Sequence, residues 1–563
     1  MDIHAQRRRK VWAAGLLAML FTAMQITGYR IAMHYHTTVH RSALMQRIGV
    51  LTGAQCVVAA VLVFIVAGVV LYGLFTLSER ITVADRRSGG GFGWGIWGAT
   101  ALLLFICWMP CFLASYPGYY NYDAFTQVPE ALYEEVPYTA HHPLLHTLLM
   151  GKIIAFGYHM GTELNDGIAL YSVFQMAVCA LAFAYVTGYL WRRTGRRLLC
   201  AAAFVWYAFF PPIAMFAMST TKDVLFSVCL LLTVVFLYEM CRDMSAFWAS
   251  RTQVCRLAVM ATLMCLLRKN GVYALVCVVP FVVWHYGKYG KRLLLLFAGV
   301  VLLYGAIDRG LVLALRAEEG SAVEMLSVPM QQLARVYHDH GESAFTEEEL
   351  EKIYAGIGRE QLRGYDPFLA DHIKNHFDYE LIREDKAGWL SLWIAKGIRY
   401  PGTYLQAFLD NTYQAWYPGT SVYSAPKDKR TAYFDMGMWP GGYRDSKAPK
   451  LLEFYRRIAE EFSYQKIPVV RLLFSIGGML WAALFVWSFA MYRRNRPLAS
   501  AMLLTLLYCA TLLLGPVSLV RYYLILFYGL PLHIGWLFAG REDEAAARVE
   551  ETGGEDETGD GNR

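Results

Sequence analysis

The chain has 563 residues, 56% hydrophobic and only 17% charged. It lies above the apolar share and below the charged share of a soluble domain, which excludes an ordinary soluble enzyme and leaves a polytopic membrane protein. The net charge of +7 reflects basic loops between apolar stretches, so no nucleic-acid partner is implied. All 11 cysteines fall in or beside those stretches; they read as small apolar core residues, and a disulfide-stapled exported domain is not indicated.

Windows long enough to cross ~30 Å of hydrocarbon recur at 11–34, 50–77, 94–115, 166–191, 196–217, 221–241, 254–268, 270–287, 291–312, 467–492, 497–516 and 521–540. This predicts an all-α membrane protein of about 12 spans, an even number that puts both termini on one side of a cell membrane. Arg7, Arg8, Arg9 and Lys10 precede the first span, which is too long for a cleaved signal and reads as a retained anchor. Residues 1–93 form a two-span region with a cytoplasmic linker; its "RRSGGGFGWG" at 86–95 follows no strand and opens a span, so it is a linker and not a phosphate loop.

With the termini cytoplasmic, every alternate loop is basic: Arg80, Arg86 and Arg87; then "WRRTGRR" at 191–197; Arg242, Arg251 and Arg256; Lys288, Lys291 and Arg292; and Arg493, Arg494 and Arg496. The pattern holds only if residues 142–163 do not cross. They are therefore expected to form an interfacial or re-entrant helix within the first outer loop, 116–165, of a membrane core spanning 94–312.

That loop contains "NYDAFTQVPEALYEEVPYTAHHPLLH" at 121–146, carboxylates and histidines among aromatic rings. Asp123 could be a helix N-cap before residues 124–135. His141 and His142 precede Pro143, a favoured first helical residue, so either could simply cap that helix.

Further along, "MSTTKDVLF" puts Lys222 and Asp223 at the outer start of the sixth span, and "LLRKNGVY" puts Arg268 and Lys269 in the hairpin between two short spans. Asn270-Gly271 is also an ordinary turn signal. Arg521 opens the last span. These cations could snorkel to headgroups. Their position on the side that the charge rule disfavours, in very short loops, points instead to an anionic partner at the outer leaflet, and a lipid phosphate fits. If one phosphate is shared, their charged ends must converge.

Residues 313–466 carry balanced charge, and "TEEELEKIYAGI" from Thr346 has a capping-box signature. With Trp389, Trp393, Trp416 and Trp439 they predict a folded, mainly helical extracytoplasmic domain. Three spans follow in 467–540, and the acidic, Gly-rich tail 541–563 reads as disordered.

The ordered set "YPGYYNYD", "YTAHHPLLHTLL", "TTKDVLF", "LLRKNG" and a late "RYY" resembles a family of uncharacterised bacterial polytopic proteins within the GT-C glycosyltransferase class. That class includes protein mannosyltransferases and lipid A aminoarabinose transferases. The resemblance covers roughly 94–312 and 467–540. It implies transfer of a sugar from a polyprenyl-phosphate donor to an extracytoplasmic acceptor, with an acid of the first outer loop acting at the acceptor. Asp123 is the matching position. Many members have two adjacent acids there, whereas this chain has Asp123-Ala124.

The residue chemistry is compatible with that implication. Preorganised cations stabilise a phosphate leaving group, and Lys222, Arg268, Lys269 and Arg521 are the candidates. An acceptor hydroxyl needs a base. Asp123, its basicity raised by desolvation, is the first choice, with His141 or His142 as partner or alternative. Tyr119, Tyr120, Tyr122 and the exported tryptophans could stack on sugar faces, with Asp223 and Asn270 nearby for substrate hydroxyls. No cofactor is indicated: a divalent metal is compatible with the class, but Asp123-Ala124 lacks the second acid and no paired His/Cys spacing points to one, while the absence of a D-x-D sequence disfavours a cytosolic nucleotide-sugar enzyme. An O-antigen ligase or polymerase would use a similar donor and would rely on the late loop, where His338 and His340 lie. A transporter or flippase would be expected to show paired half-repeats, and none is evident.

Overall fold

The structure is a computed structural model that describes residues 3–35, 49, 51–83, 93–161, 163–320, 326–419, 445–459 and 467–538. The tail, Trp439 and most of the 86–95 linker lie outside the described residues. Among the described residues the chain is helical, and the extended pairings are isolated bridges, Tyr119 with Ser219 and Thr139 with Glu318.

Seven helices are long and apolar enough to cross a membrane; the pair Arg197–Phe209 and Pro211–Ala217, bent by 57°, makes an eighth if counted as one span. These helices mark a membrane protein. Other stretches expected to span are shorter: Arg251–Leu267, Lys269–His285 and Arg496–Leu512 have 17 residues each, and Leu524–Trp536 has 13. The stretch expected at 467–492 breaks at Ser475 into Pro468–Phe474 and Ile476–Arg493. The 142–163 stretch forms the 18-residue helix Leu144–Gly161, which is not one of the seven.

Lys222–Arg242 and Leu524–Trp536 form the middle of the bundle, buried on nearly every side. An all-round apolar helix belongs in such a core. Around them Phe183 stacks on Tyr207 with centroids 4.4 Å apart, and the Tyr207 hydroxyl donates to the Tyr528 carbonyl at 2.8 Å. Leu144–Gly161 lies against Leu164–Thr194 at a glycine crossing, where a Cβ on Gly157 would come within 2.7 Å of Gly167 Cα.

A second core forms within residues 326–404, where Leu333, Ile353, Ile373, Trp389 and Leu392 pack together. The capping box is present: Thr346 Oγ1 accepts from the Glu349 amide at 3.3 Å, and the Thr346 amide donates to Glu349 Oε2 at 2.8 Å. This domain grips the membrane bundle near Arg521, because the Ala370 amide donates to the Pro516 carbonyl at 2.9 Å and Asn411 Nδ2 to the Gly515 carbonyl at 3.1 Å. Arg335 meets Asp410 at 2.8 Å, and Asp410 also accepts from Tyr35 at 2.8 Å, tying the domain to the first helix.

Candidate functional site

Two helix starts that are far apart in sequence are joined by backbone. The Tyr119 amide donates to the Met218 carbonyl at 3.1 Å, the Thr220 amide to the Tyr119 carbonyl at 2.9 Å, and the Asn121 amide to Thr220 Oγ1 at 2.9 Å. Gly118 permits this approach: its φ is 128°, and a Cβ would lie 2.2 Å from Ser172 Oγ. Gly118→Ala is expected to cost ~1–3 kcal/mol, the scale of overpacking, on top of backbone strain. Thermal unfolding in detergent measures this; an unchanged melting temperature contradicts it.

The junction places Asp123 in the first turn of Tyr122–Leu132 and Lys222 at the start of Lys222–Arg242. Asn121 occupies the N-cap position, so Asp123 is not the cap; its carboxylate is committed elsewhere. Asp123 Oδ2 accepts from Lys222 Nζ, and Oδ1 accepts from Arg521 Nη1 at 3.2 Å.

Arg268 is the single extended residue, φ −161° and ψ 127°, between Arg251–Leu267 and Lys269–His285. Gly271 lets the reversal close, since a Cβ there would be 3.1 Å from both the Met264 carbonyl oxygen and Phe226. Arg268 Nη1 donates to Asp223 Oδ1, and Thr221 Oγ1 donates to Asp223 Oδ2 at 3.0 Å. Asn270 receives Arg268 Nε at 3.4 Å and donates to Thr511 Oγ1 at 2.9 Å.

Arg521 sits on the turn Val520–Tyr523 ahead of the central helix. Its Nε lies 3.9 Å from Asp223 Oδ2 and is a buried donor with no hydrogen-bond partner among the described residues. The Tyr522 ring lies 4.5 Å from the Arg268 guanidinium carbon and 4.8 Å from that of Arg521. The tyrosine face thus helps hold two like charges side by side. Lys222, Arg268 and Arg521 are therefore brought together around Asp123 and Asp223.

His142 completes the cluster. Lys222 Nζ donates to His142 Nδ1 at 3.2 Å, which leaves the histidine proton on Nε2. Burial, with the Lys222 ammonium beside it, pushes His142 down from its ordinary 6.5 to about 3. Its contribution to stability is thus complete above about pH 6.5 and is withdrawn as pH falls toward 3. His142→Gln, which cannot titrate, is expected to flatten part of the acid loss of melting temperature in that window; an unaltered profile contradicts it. His146 shares the direction, pushed down to about 3 by burial, which is why only part is removed.

Asp123 itself corrects one expectation. Burial pushes its carboxyl up, but Arg521 and Lys222 outweigh burial and hold it well below the usual carboxylate range. As the site stands here, Asp123 is a weak base.

Other expected residues are placed differently. Tyr119 and Tyr120 are 1% and 0% exposed, with hydroxyls bonded to Ser115 and to the Ala124 carbonyl. They anchor the loop and offer no ring face to a sugar. The Tyr122 side chain lies outside what the structure describes. Trp389 and Trp416 are buried in cores, and Trp393 donates to Gln332 at 2.8 Å. His141 is exposed, its ring 4.7 Å from that of His142. Lys269 is exposed and makes no ion pair among the described residues; it lines a small hollow with His142, Pro143, Leu144, Leu266 and Asp308. His338 pairs with Asp339 and His340 with Thr403. Among the described residues, no group of three or more His, Cys, Asp or Glu could hold a metal ion.

Three supporting residues were missed from sequence. Gln127 bonds Thr147 and His146, and His146 Nε2 meets Tyr171 at 3.1 Å, so this buried chain fixes the Asp123 helix. Glu130, held above the usual carboxylate range by burial, accepts from Thr139 at 2.9 Å. A signal was available: 123, 127 and 130 share one helical face.

Fold and site together define a polytopic helical membrane protein with a buried ion cluster at one end of its bundle. The chain belongs to a family of unknown function, DUF6020, whose model matches residues 133–551. Lys222, Arg268 and Arg521 fall inside the match and Asp123 just ahead of it. No curated protein and no solved structure matches the chain.

Proposed function

We propose that the protein is a GT-C-like glycosyltransferase of the cell membrane, with about 12 spans, cytoplasmic termini and the 313–466 segment outside. It moves a sugar from a polyprenyl-phosphate donor to an extracytoplasmic acceptor of the cell envelope. The observation that carries the reading is the meeting of Lys222, Arg268 and Arg521 from separate helices beside the buried Asp123. The Nε of Arg521 supports it, being a buried donor with no hydrogen-bond partner among the described residues and only a 3.9 Å approach to Asp223.

In the proposed step Asp123 takes the proton of the acceptor hydroxyl. The acceptor oxygen bonds to the anomeric carbon, and the bond from that carbon to the phosphate oxygen breaks. Its electron pair leaves on the phosphate, whose charge the cations stabilise in a largely dry site.

Lipid extraction from the purified protein, followed by mass spectrometry, tests the reading. The expected result is a co-purifying polyprenyl-phosphate sugar that is consumed when an envelope acceptor fraction is added. Absence of any such lipid, together with no transfer from a supplied lipid-phosphate sugar pool, contradicts it.

A further inference from the structure

The cluster poses a problem for the chemistry just described. Both oxygens of the candidate base are occupied, Oδ2 by Lys222 and Oδ1 by Arg521, and the same two cations are the ones a donor phosphate needs. Three cations, Lys222, Arg268 and Arg521, face two carboxylates, Asp123 and Asp223.

The carboxylates are not equivalent. Asp223 is 0% exposed and is held by Arg268 and by the Thr221 hydroxyl of its own helix start. Asp123 is 7% exposed and is held by Lys222 and by Nη1 of Arg521, whose Nε stands 3.9 Å from Asp223, too far for a hydrogen bond. An incoming anion therefore exchanges with Asp123 more easily than with Asp223. Three cations against two carboxylates leave one positive charge, which the incoming phosphate offsets while Asp123 remains an anion beside it.

We infer that Asp123 is masked by Lys222 and Arg521 until the phosphate of a lipid-linked ligand takes those two cations from it, so that donor binding itself releases the base. The inference rests on the phosphate-donor reading above. Asp223 stays in place as the counter-ion that keeps Arg268 aimed at the site. An empty site then has no free base, and the acceptor is activated only after the donor has bound. Once released, Asp123 accepts the acceptor proton and becomes neutral beside a phosphate that has taken its place on the cations.

The test is binding of farnesyl phosphate to the full-length protein in detergent, by titration calorimetry, with farnesol as the chain-only control and inorganic phosphate as the headgroup-only control. If Asp123 competes for the cations, Asp123→Asn binds farnesyl phosphate at least ~tenfold more tightly than wild type, while Arg521→Gln binds it ~10- to 100-fold more weakly. Equal or weaker binding by Asp123→Asn, with Arg521→Gln still defective, overturns the masking and leaves the phosphate site standing. Absence of binding to both wild type and Asp123→Asn overturns the phosphate reading and the masking with it. Binding of farnesol as tight as that of farnesyl phosphate does the same; binding of inorganic phosphate as tight as farnesyl phosphate assigns the site to a free anion and overturns the lipid source.

Should Asp123→Asn fail to fold, infrared difference spectra of the wild-type protein decide the matter. Adding farnesyl phosphate is expected to shift the antisymmetric stretch of a carboxylate leaving its ion pairs; saturating ligand without any carboxylate shift overturns the inference.

Discussion

Replacing Asp123 with asparagine is expected to lower sugar transfer by at least ~10²-fold, the lower end of what a general base contributes. The side chain keeps its shape and an acceptor oxygen but can no longer take a proton. Since both Asp123 oxygens lie on cations, the change also disturbs a buried ion cluster, and breaking such a pair costs ~3–5 kcal/mol. Thermal unfolding is therefore measured beside activity. Transfer that falls while melting temperature and yield hold supports the base role. Transfer near the wild-type rate, or a loss that only tracks the loss of folded protein, removes Asp123 from the mechanism.

Arg521→Gln is expected to weaken binding of a lipid phosphate by ~10- to 100-fold, the scale of one charge-assisted hydrogen bond worth ~1.5–3 kcal/mol. Arg521 reaches Asp123 through Nη1 and faces Asp223 through Nε, so a lysine cannot replace it: one ammonium cannot span the two carboxylates. Arg521→Lys should therefore also bind poorly, which separates geometry from charge. Arg383 is exposed and pairs with Glu380 on its own helix, and Arg383→Gln serves as the control with no expected change. Wild-type affinity in Arg521→Gln would contradict the assignment of these cations to a phosphate.

Much of the architecture follows from local pattern, because a helix is specified by residues within a few positions of one another. The apolar runs mark the helices, Thr346 and Glu349 announce their capping box, and balanced charge with tryptophans in 313–466 announces a folded domain. The break at Ser475 and the short helices at Arg251–Leu267 and Leu524–Trp536 are less legible, since hydropathy reports length and polarity but not where a helix bends.

The candidate site divides in the same way. Sequence alone singles out Asp123, Asp223, Lys222, Arg268 and Arg521, because charged residues at the ends of apolar stretches need a partner. Which partner each finds is a tertiary matter. The pairs join residues 99, 45 and 398 positions apart, and they meet where backbone bridges fuse two helix starts and where Ala370 and Asn411 hold the turn before Arg521. Burial of Tyr119 and Tyr120, and the capping position going to Asn121, likewise depend on how the loop docks. The basicity of Asp123 has the opposite sign from the one sequence suggested. Desolvation was foreseeable from an aromatic-rich loop, but two cations within hydrogen-bonding reach outweigh it, and charge–charge distances exist only in the folded protein.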